Sequence, residues 1–189
     1  MNYQEWLDRT LKSLEGRRPK LLLHACCAPC ASYPLEYLSE RFEITVYYYN
    51  PNIMPLEEYE KRLGEFEKLR DFPFTLVSED WDNESYLAAV RGHESDREGG
   101  DRCGLCFRLR LEKTAEKAKA EGFDYFATTL TVSPHKNATV INTIGEELSA
   151  AYGVPWLYTD FKKREGYKRS TQLCRERDIY RQMYCGCRL

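Results

Sequence analysis

Seven of the eight cysteines fall into three tight groups, and this distribution constrains the chain more than any other feature. The groups are Cys26, Cys27 and Cys30; Cys103 and Cys106; and Cys185 and Cys187. The first group follows the apolar run 21–23, where a buried strand is expected to pass into a helix, and α/β proteins bind their ligands at such strand ends. Cys174 stands alone, and we expect it to pack as a small hydrophobic residue.

The expected cellular compartment decides what clustered thiols mean. Residues 1–8 lack the basic start and apolar core of a secretory signal, and no run approaches the roughly 18 apolar residues of a membrane span. We therefore expect a soluble, cytoplasmic protein that contacts no membrane. In a reducing cytosol, clustered cysteines more often bind metal or perform redox chemistry than form structural disulfides.

The alternation of strand-like and helix-like stretches predicts a single α/β domain spanning residues 1–189. A chain of 189 residues with 42% hydrophobic residues suits one core. The pattern predicts a parallel sheet of about five strands with helices on both faces, followed by a helical, basic C-terminal segment. The predicted strands are 20–25, 42–49, 74–77, 125–131 and 155–158. The predicted helices are 3–14, 28–38, 55–69, 83–91, 103–122 and 138–152.

Charge is distributed unevenly along the chain, although the formal net charge is only −2. Nine basic and three acidic residues lie between Lys162 and Arg188, interleaved with Tyr167, Tyr180 and Tyr184. Such a segment could bind phosphates and stack bases, which makes it a candidate for RNA binding. The alternative is a solvated face on a charge-rich protein.

Four cysteines supply the thiolates that a 4Fe-4S cluster requires: Cys26, Cys27, Cys103 and Cys106. Structural zinc usually takes cysteine pairs spaced two to four residues apart, so the adjacent pair Cys26-Cys27 favours iron-sulfur over zinc, which stays an alternative. Neither glycine-rich phosphate-binding pattern occurs, which argues against ATP and nicotinamide cofactors.

The remaining candidates are a C-terminal dithiol and several isolated side chains. Cys185 and Cys187 could close a small, strained disulfide ring of the labile, catalytic kind, or they could be two further metal ligands. Two acids follow predicted strands and could join Cys30 around a second metal, although most such acids are helix caps or surface residues. These acids are Asp82 and Asp160. We expect His24, inside the first strand, to be a hydrogen-bonded core residue.

The three cysteine motifs together resemble the epoxyqueuosine reductases of the QueH type. The motifs are His24-Ala25-Cys26-Cys27-Ala28-Pro29-Cys30, Gly99-Gly100-Asp101-Arg102-Cys103-Gly104-Leu105-Cys106-Phe107 and Tyr184-Cys185-Gly186-Cys187. The segment Asp160-Phe161-Lys162-Lys163, with Gly166, Tyr167 and Ser170, is also similar to that family. The resemblance therefore runs along nearly the whole chain.

The resemblance implies reduction of the epoxide in tRNA-borne epoxyqueuosine to queuosine, the last step of queuosine biosynthesis, without cobalamin. It implies a sheet like that of the adenine-nucleotide α-hydrolases (HUP-like), with Cys26, Cys27, Cys103 and Cys106 as ligands of a 4Fe-4S cluster. Cys185 and Cys187 would be a redox-active disulfide. The partners would be the tRNA anticodon stem-loop and an electron donor of unknown identity, and an additional iron ion would have no assigned ligands.

Two other functions stay open at this point. One is a zinc-stapled RNA-binding module that performs no chemistry. The other is an enzyme of the tRNA thiolation type, which the missing phosphate loop disfavours.

Overall fold

The computed structural model describes residues 2–187 and contains a four-stranded parallel sheet. The strands are β1 (Lys20–His24), β2 (Glu43–Tyr48), β3 (Phe74–Ser78) and β4 (Tyr125–Thr128), and their order in the sheet is β3-β2-β1-β4. The helices are α1 (Tyr3–Ser13), α2 (Ala28–Leu38), α3 (Leu56–Gly64), α4 (Asn83–Ala89), α5 (Asp101–Ala120), α6 (Ala138–Tyr152) and α7 (Gly166–Glu176). Two short 3-10 helices, Glu65–Leu69 and Leu130–Val132, complete the structure.

Helices cover both faces of the sheet, as the sequence predicts. Successive side chains of a strand point to opposite faces, so Leu21 and Leu23 of β1 face one core and Leu22 faces the other. The first core lies under α2 and contains Leu35; the second lies under α5 and α6 and contains Leu111 and Ile144. Burial on both faces explains why β1 is a continuous apolar run rather than an alternating one.

The structure does not contain the predicted fifth strand, 155–158. Only Trp156 forms a bridge, to Phe126 of β4. Pro155 has no N–H to donate to a ladder. Further along, Thr159 donates its backbone N–H to the side-chain oxygen of Asn142 in α6, at 3.2 Å, and the chain leaves the sheet. The sheet therefore has four strands rather than about five.

The C-terminal segment is helical only in its first part, which also differs from the sequence prediction. Helix α7 ends at Glu176, and residues 177–187 form neither helix nor strand. The backbone N–H of Ile179 bonds to the carbonyl of Cys174, and Asp178 takes a positive φ of 51°, which together end the helix. The segment 177–187 then runs to α3. No helix within residues 2–187 is long and apolar enough to cross a bilayer.

Candidate functional site

The first thiol group lies where β1 passes into α2. Cys27 is the N-cap of α2, with extended backbone angles (φ −173°, ψ 161°), and Pro29 lies in the first turn, where its missing N–H has no helical partner. The sulfurs of Cys26 and Cys27 are 3.7 Å apart. The Sγ atoms of Cys26, Cys27 and Cys30 all lie within 4.8 Å of one another.

This spacing suits thiolates that share one metal ion. Sulfurs at about 2.3 Å from a tetrahedral ion lie about 3.8 Å from each other. A cubane instead takes one thiolate at each iron, so its ligand sulfurs can lie farther apart. The group is also electrostatically uneven: hydrogen bonds from Cys27 and Cys30, together with the positive charge of Lys136, hold the pKa of Cys26 well below its usual value. Cys26 is therefore the member of the group that gives up its proton most readily.

The second thiol group lies on the first two turns of α5. Gly100 caps this helix, and Cys103, Cys106 and Arg110 follow at helical spacing, so their side chains share one face. Cys106 is buried, and this burial raises the pKa of its thiol to about 11. A cavity of about 500 Å³ opens beside this face and is lined by both thiols.

The third thiol group, Cys185 and Cys187, lines the same cavity. Both are free thiols in this structure. A hydrogen bond from Cys187, with the charges of Lys136 and Arg110, lowers the pKa of Cys185 to about 5. Cys187 shifts in the opposite direction, because its proton is shared with the neighbouring thiolate, which raises its pKa.

The backbone around Cys185 is held by α3. Arg62, buried in α3, pairs with Glu58 at 2.7 Å and donates hydrogen bonds to the carbonyls of Cys185 (2.8 Å) and Tyr184 (3.4 Å). The backbone N–H of Met54 donates to the carbonyl of Gly186 at 3.0 Å. Hydrogen bonds to three successive backbone carbonyls thus fix the position of the C-terminal thiols.

A second cavity, of about 480 Å³, lies between the first and the third thiol groups. Its lining includes Cys26, Cys30 and Cys185. Cys185, Arg110 and Lys136 line both cavities. The fold therefore brings all three cysteine groups to one place, at the carboxyl end of the sheet, with Cys185 between the other two.

The structure arranges the four predicted cluster ligands in two pairs rather than in one tight group. No three of Cys26, Cys27, Cys103 and Cys106, all of which lie within the described range 2–187, have sulfurs that are mutually within 4.8 Å. Cys103 and Cys106 line the first cavity, while Cys26 lines the second. The assignment of these four as ligands stays a prediction.

Two cations at the junction were not identified from the sequence. Burial alone would lower the pKa of Arg110, yet its electrostatic interactions with Cys106 and Cys185 raise it, and interactions with Cys185 and Cys26 likewise raise the pKa of Lys136 against the effect of burial. A sequence signal for Arg110 does exist, because it lies four residues after Cys106 on the same helix face. Lys136 follows the 3-10 helix after β4 and carries no comparable signal.

The remaining candidates have structural roles. Asp82 caps α4 by accepting a hydrogen bond from the N–H of Ser85 at 3.2 Å. Asp160 pairs with Lys162 at 2.7 Å, and neither acid lines the two thiol cavities. His24 is buried with both ring nitrogens in hydrogen bonds, and burial lowers its pKa to about 4. Cys174 is buried in the first core, as expected.

Most of the predicted positive excess in the C-terminal segment is neutralised within the fold. Five of its nine basic residues form ion pairs: Lys162 with Asp160, Arg164 with Asp8, Lys168 with Glu165, Arg169 with Glu36 and Arg177 with Asp71. Arg188 lies outside the described residues. Arg181 differs from the paired set, because it packs over the exposed ring of Tyr167 and both side chains line the second cavity.

Comparisons with known proteins give one consistent result. Residues 21–189 match the family described as "Epoxyqueuosine reductase QueH". A protein of that name from Streptococcus pyogenes serotype M1 is 45% identical over 99% of this chain and 77% of its own length. Another from Staphylococcus epidermidis is 39% identical over 99% of this chain and 83% of its own length. A third, from Thermotoga maritima, is 36% identical over 88% of both chains.

Proposed function

Because the chain belongs to the epoxyqueuosine reductase QueH family, we propose that it reduces epoxyqueuosine in tRNA to queuosine. The reaction would be the last step of queuosine biosynthesis, carried out in the cytoplasm without cobalamin. The observation that carries this proposal is the convergence of three thiol groups on two cavities at the carboxyl end of a parallel sheet. A likeness of this sheet to that of the adenine-nucleotide α-hydrolases stays a prediction.

The residues fit an iron-sulfur cofactor in the chemistry of their donors. Thiolates are the soft ligands that iron-sulfur clusters require. Arg110, which lines both cavities, has one buried nitrogen, Nη2, without a hydrogen-bond partner in the described part of the chain. We propose that Cys26, Cys27, Cys103 and Cys106 hold a 4Fe-4S cluster, which supplies electrons when bound. Cys30 is then the thiol available to an additional iron ion.

The reaction needs two electrons and two protons. Both carbon–oxygen bonds of the epoxide break, a carbon–carbon double bond forms, and the oxygen leaves as water. Oxidation of the Cys185 thiolate and the Cys187 thiol to a disulfide releases two electrons and one proton, and solvent supplies the second proton, which balances the reduction. The thiolate character of Cys185 and the retained proton of Cys187 suit this role, because a thiolate beside a thiol is the reactive form. An external donor must then reduce the disulfide.

The second cavity is the proposed site of the modified base. A base must leave its stack to reach buried chemistry, and a cavity of about 480 Å³ is in the range of small-molecule sites. Tyr167 is exposed at this cavity with Arg181 over its ring, which offers a surface for stacking and for phosphate contact. Cys185 connects this cavity to the first one.

The proposal is tested by incubating the anaerobically purified protein, with a chemical reductant, with an anticodon stem-loop that carries epoxyqueuosine. Mass spectrometry of the digested nucleosides should show loss of one oxygen atom. Cys174→Ala, which alters a core thiol away from both cavities, should keep the activity and serves as the matched control. Unchanged epoxyqueuosine with protein that holds its metal would contradict the proposed reaction.

A zinc-stapled RNA-binding module is the second candidate. The specific observation in its favour is the close approach of the Cys26, Cys27 and Cys30 sulfurs, which suits one tetrahedral ion. Metal analysis separates the two candidates, because a zinc module would be colourless and would contain no sulfide.

A further inference from the structure

Arg110 is a buried arginine without a carboxylate partner. Its side chain is only 1% exposed, and it forms no ion pair with an acid within residues 2–187. Its Nε donates to the carbonyl of Cys106 at 3.3 Å, and its Nη1 donates weakly to the side-chain oxygen of Asn50 at 3.4 Å. Nη2 is buried with no partner. Arg62, the other buried arginine among residues 2–187, pairs with Glu58 at 2.7 Å.

A buried charge of this kind requires a compensating anion. Removing a guanidinium from water costs several kcal/mol unless an opposite charge and hydrogen bonds replace the lost hydration. Two carboxylates also line these cavities, Glu98 and Asp101, but both are exposed and neither forms an ion pair with Arg110. The other candidates for a negative charge near Arg110 are thiols: Cys103, Cys106, Cys185 and Cys187 in the first cavity, and Cys26, Cys30 and Cys185 in the second. The anion that compensates Arg110 is therefore bound or formed by these cysteines.

We propose that Arg110 is the fixed counter-charge of the iron-sulfur cluster and donates a hydrogen bond from Nη2 to one of its sulfur atoms. This inference rests on the proposed function, because it assumes a cluster between the two cysteine pairs. A tetrathiolate cluster is anionic, and its reduced form carries one more negative charge. The position of Arg110 on the helix face of Cys103 and Cys106 holds the guanidinium beside the ligands.

Arg110 would then set the potential of the cluster as a positioning and tuning residue. Net charge and hydrogen bonds to sulfur are two of the factors that determine iron-sulfur potentials. A positive charge and an N–H donor both stabilise the more negative, reduced form. Loss of Arg110 should make the cluster harder to reduce and weaken its binding.

A tRNA phosphate is a poorer candidate for the missing anion. Phosphate oxygens of a stem-loop are carried on a bulky, hydrated backbone, whereas Arg110 is almost inaccessible to solvent. Arg181, half-buried at the rim of the second cavity, is better placed for a phosphate. The test therefore measures RNA binding beside the redox properties.

The experiment compares Arg110→Gln and Arg110→Lys with the parent protein, all purified anaerobically as full chains. Arg70→Gln is the matched control, because Arg70 is exposed and pairs with Glu67 outside both cavities. The midpoint potential is measured by redox titration with electron paramagnetic resonance, and iron release is followed with a chelator. Stem-loop affinity is measured in parallel.

Arg110→Gln should shift the midpoint potential to a more negative value and weaken iron retention by about 10- to 100-fold. Arg110→Lys keeps a positive charge but loses the planar fork, so we expect a smaller potential shift together with faster iron release. Arg70→Gln should match the parent in both measurements. If Arg110→Gln fails to fold, judged by circular dichroism, iron release from Arg110→Lys decides the question.

The inference would be overturned if Arg110→Gln kept the potential and the iron release of the parent protein. Where only Arg110→Lys folds, parent-like iron release from that variant would overturn it. Either result would leave the proposed function intact. Parent-like redox properties combined with weaker stem-loop binding would assign Arg110 to RNA instead. A parent protein that contains no iron would contradict the proposed function itself.

Discussion

Cys185 and Cys187 lie two residues apart and have opposite tendencies to ionise. The shared proton and the charges of Lys136 and Arg110 lower the pKa of Cys185 and leave Cys187 protonated. If the pair is a dithiol that returns electrons rather than a pair of ligands, its loss should spare the metal. We therefore expect Cys185→Ala and Cys187→Ala to keep near-normal iron while turnover falls to background, as measured by metal analysis and nucleoside mass spectrometry. Loss of iron from either variant would make the pair ligands.

The four predicted ligands should give the opposite result. A hydroxyl is a far poorer iron ligand than a thiolate, so Cys26→Ser, Cys27→Ser, Cys103→Ser and Cys106→Ser should each lose most of the iron and all reduction. Cys30→Ser is the informative comparison, because its sulfur lies within 4.8 Å of Cys26 and Cys27 but the family resemblance assigns it no role. Full iron content in Cys103→Ser would remove Cys103 from the ligand set and favour a site built from Cys26, Cys27 and Cys30.

At the scale of elements, the link between α3 and the C-terminal segment positions the thiols. Gly186 takes a φ of +106°, and a Cβ there would lie 3.2 Å from Nη2 of Arg62. Gly186→Ala should therefore displace the segment and lower kcat at least tenfold, with iron content unchanged. Gly122→Ala is the matched control, because Gly122 also has a positive φ (+69°) but open space around it.

The control should lose about 1 kcal/mol of stability without a change in kcat, because the strain of a positive φ acts there alone. Steady-state kinetics and thermal unfolding of both variants check this prediction. Equal kcat values for Gly186→Ala and the parent would show that the position of the C-terminal thiols does not limit turnover.

Elements set by local pattern were predicted well, and elements set by distant partners were not. The bounds of α2 and α6 were predicted to the residue, because Pro29 marks the start of one and Gly153 the end of the other. The fifth strand was wrong because Asn142, far along the chain, takes the N–H of Thr159. The extent of helix beyond α7 was wrong because the segment 177–187 is held by α3 rather than by its own propensity.

The candidate site shows the same division. Cysteine spacing was sufficient to predict the three groups and to place the first of them at a strand end, where α/β proteins bind their ligands. The sequence does not predict the roles of Arg110 and Lys136, because these roles come from burial among thiols that are distant in sequence. The prediction that Asp82 and Asp160 reach the site rests only on their positions after strands. In the structure Asp82 caps α4 and Asp160 pairs with Lys162.

At the scale of the whole molecule, RNA binding should depend on the cations that the fold leaves without acidic partners. Arg181 forms no ion pair within residues 2–187 and lines the second cavity, whereas Arg177 pairs with Asp71 at 2.6 Å. Arg181→Ala should weaken stem-loop binding and reduce its salt slope by about one unit. Arg177→Ala, the matched control, should leave the slope unchanged. If both variants showed the same salt slope of stem-loop binding, the segment would be a solvated surface rather than an RNA-binding one.

The most direct test for an iron-sulfur cluster at these converging thiols is quantification of iron and acid-labile sulfide in anaerobically purified protein. We predict a brown protein with absorption near 400 nm and about four irons and four sulfides per chain, with any further iron assigned to the additional ion. Colourless protein that contains stoichiometric zinc and no sulfide would contradict it and would favour the zinc-stapled module.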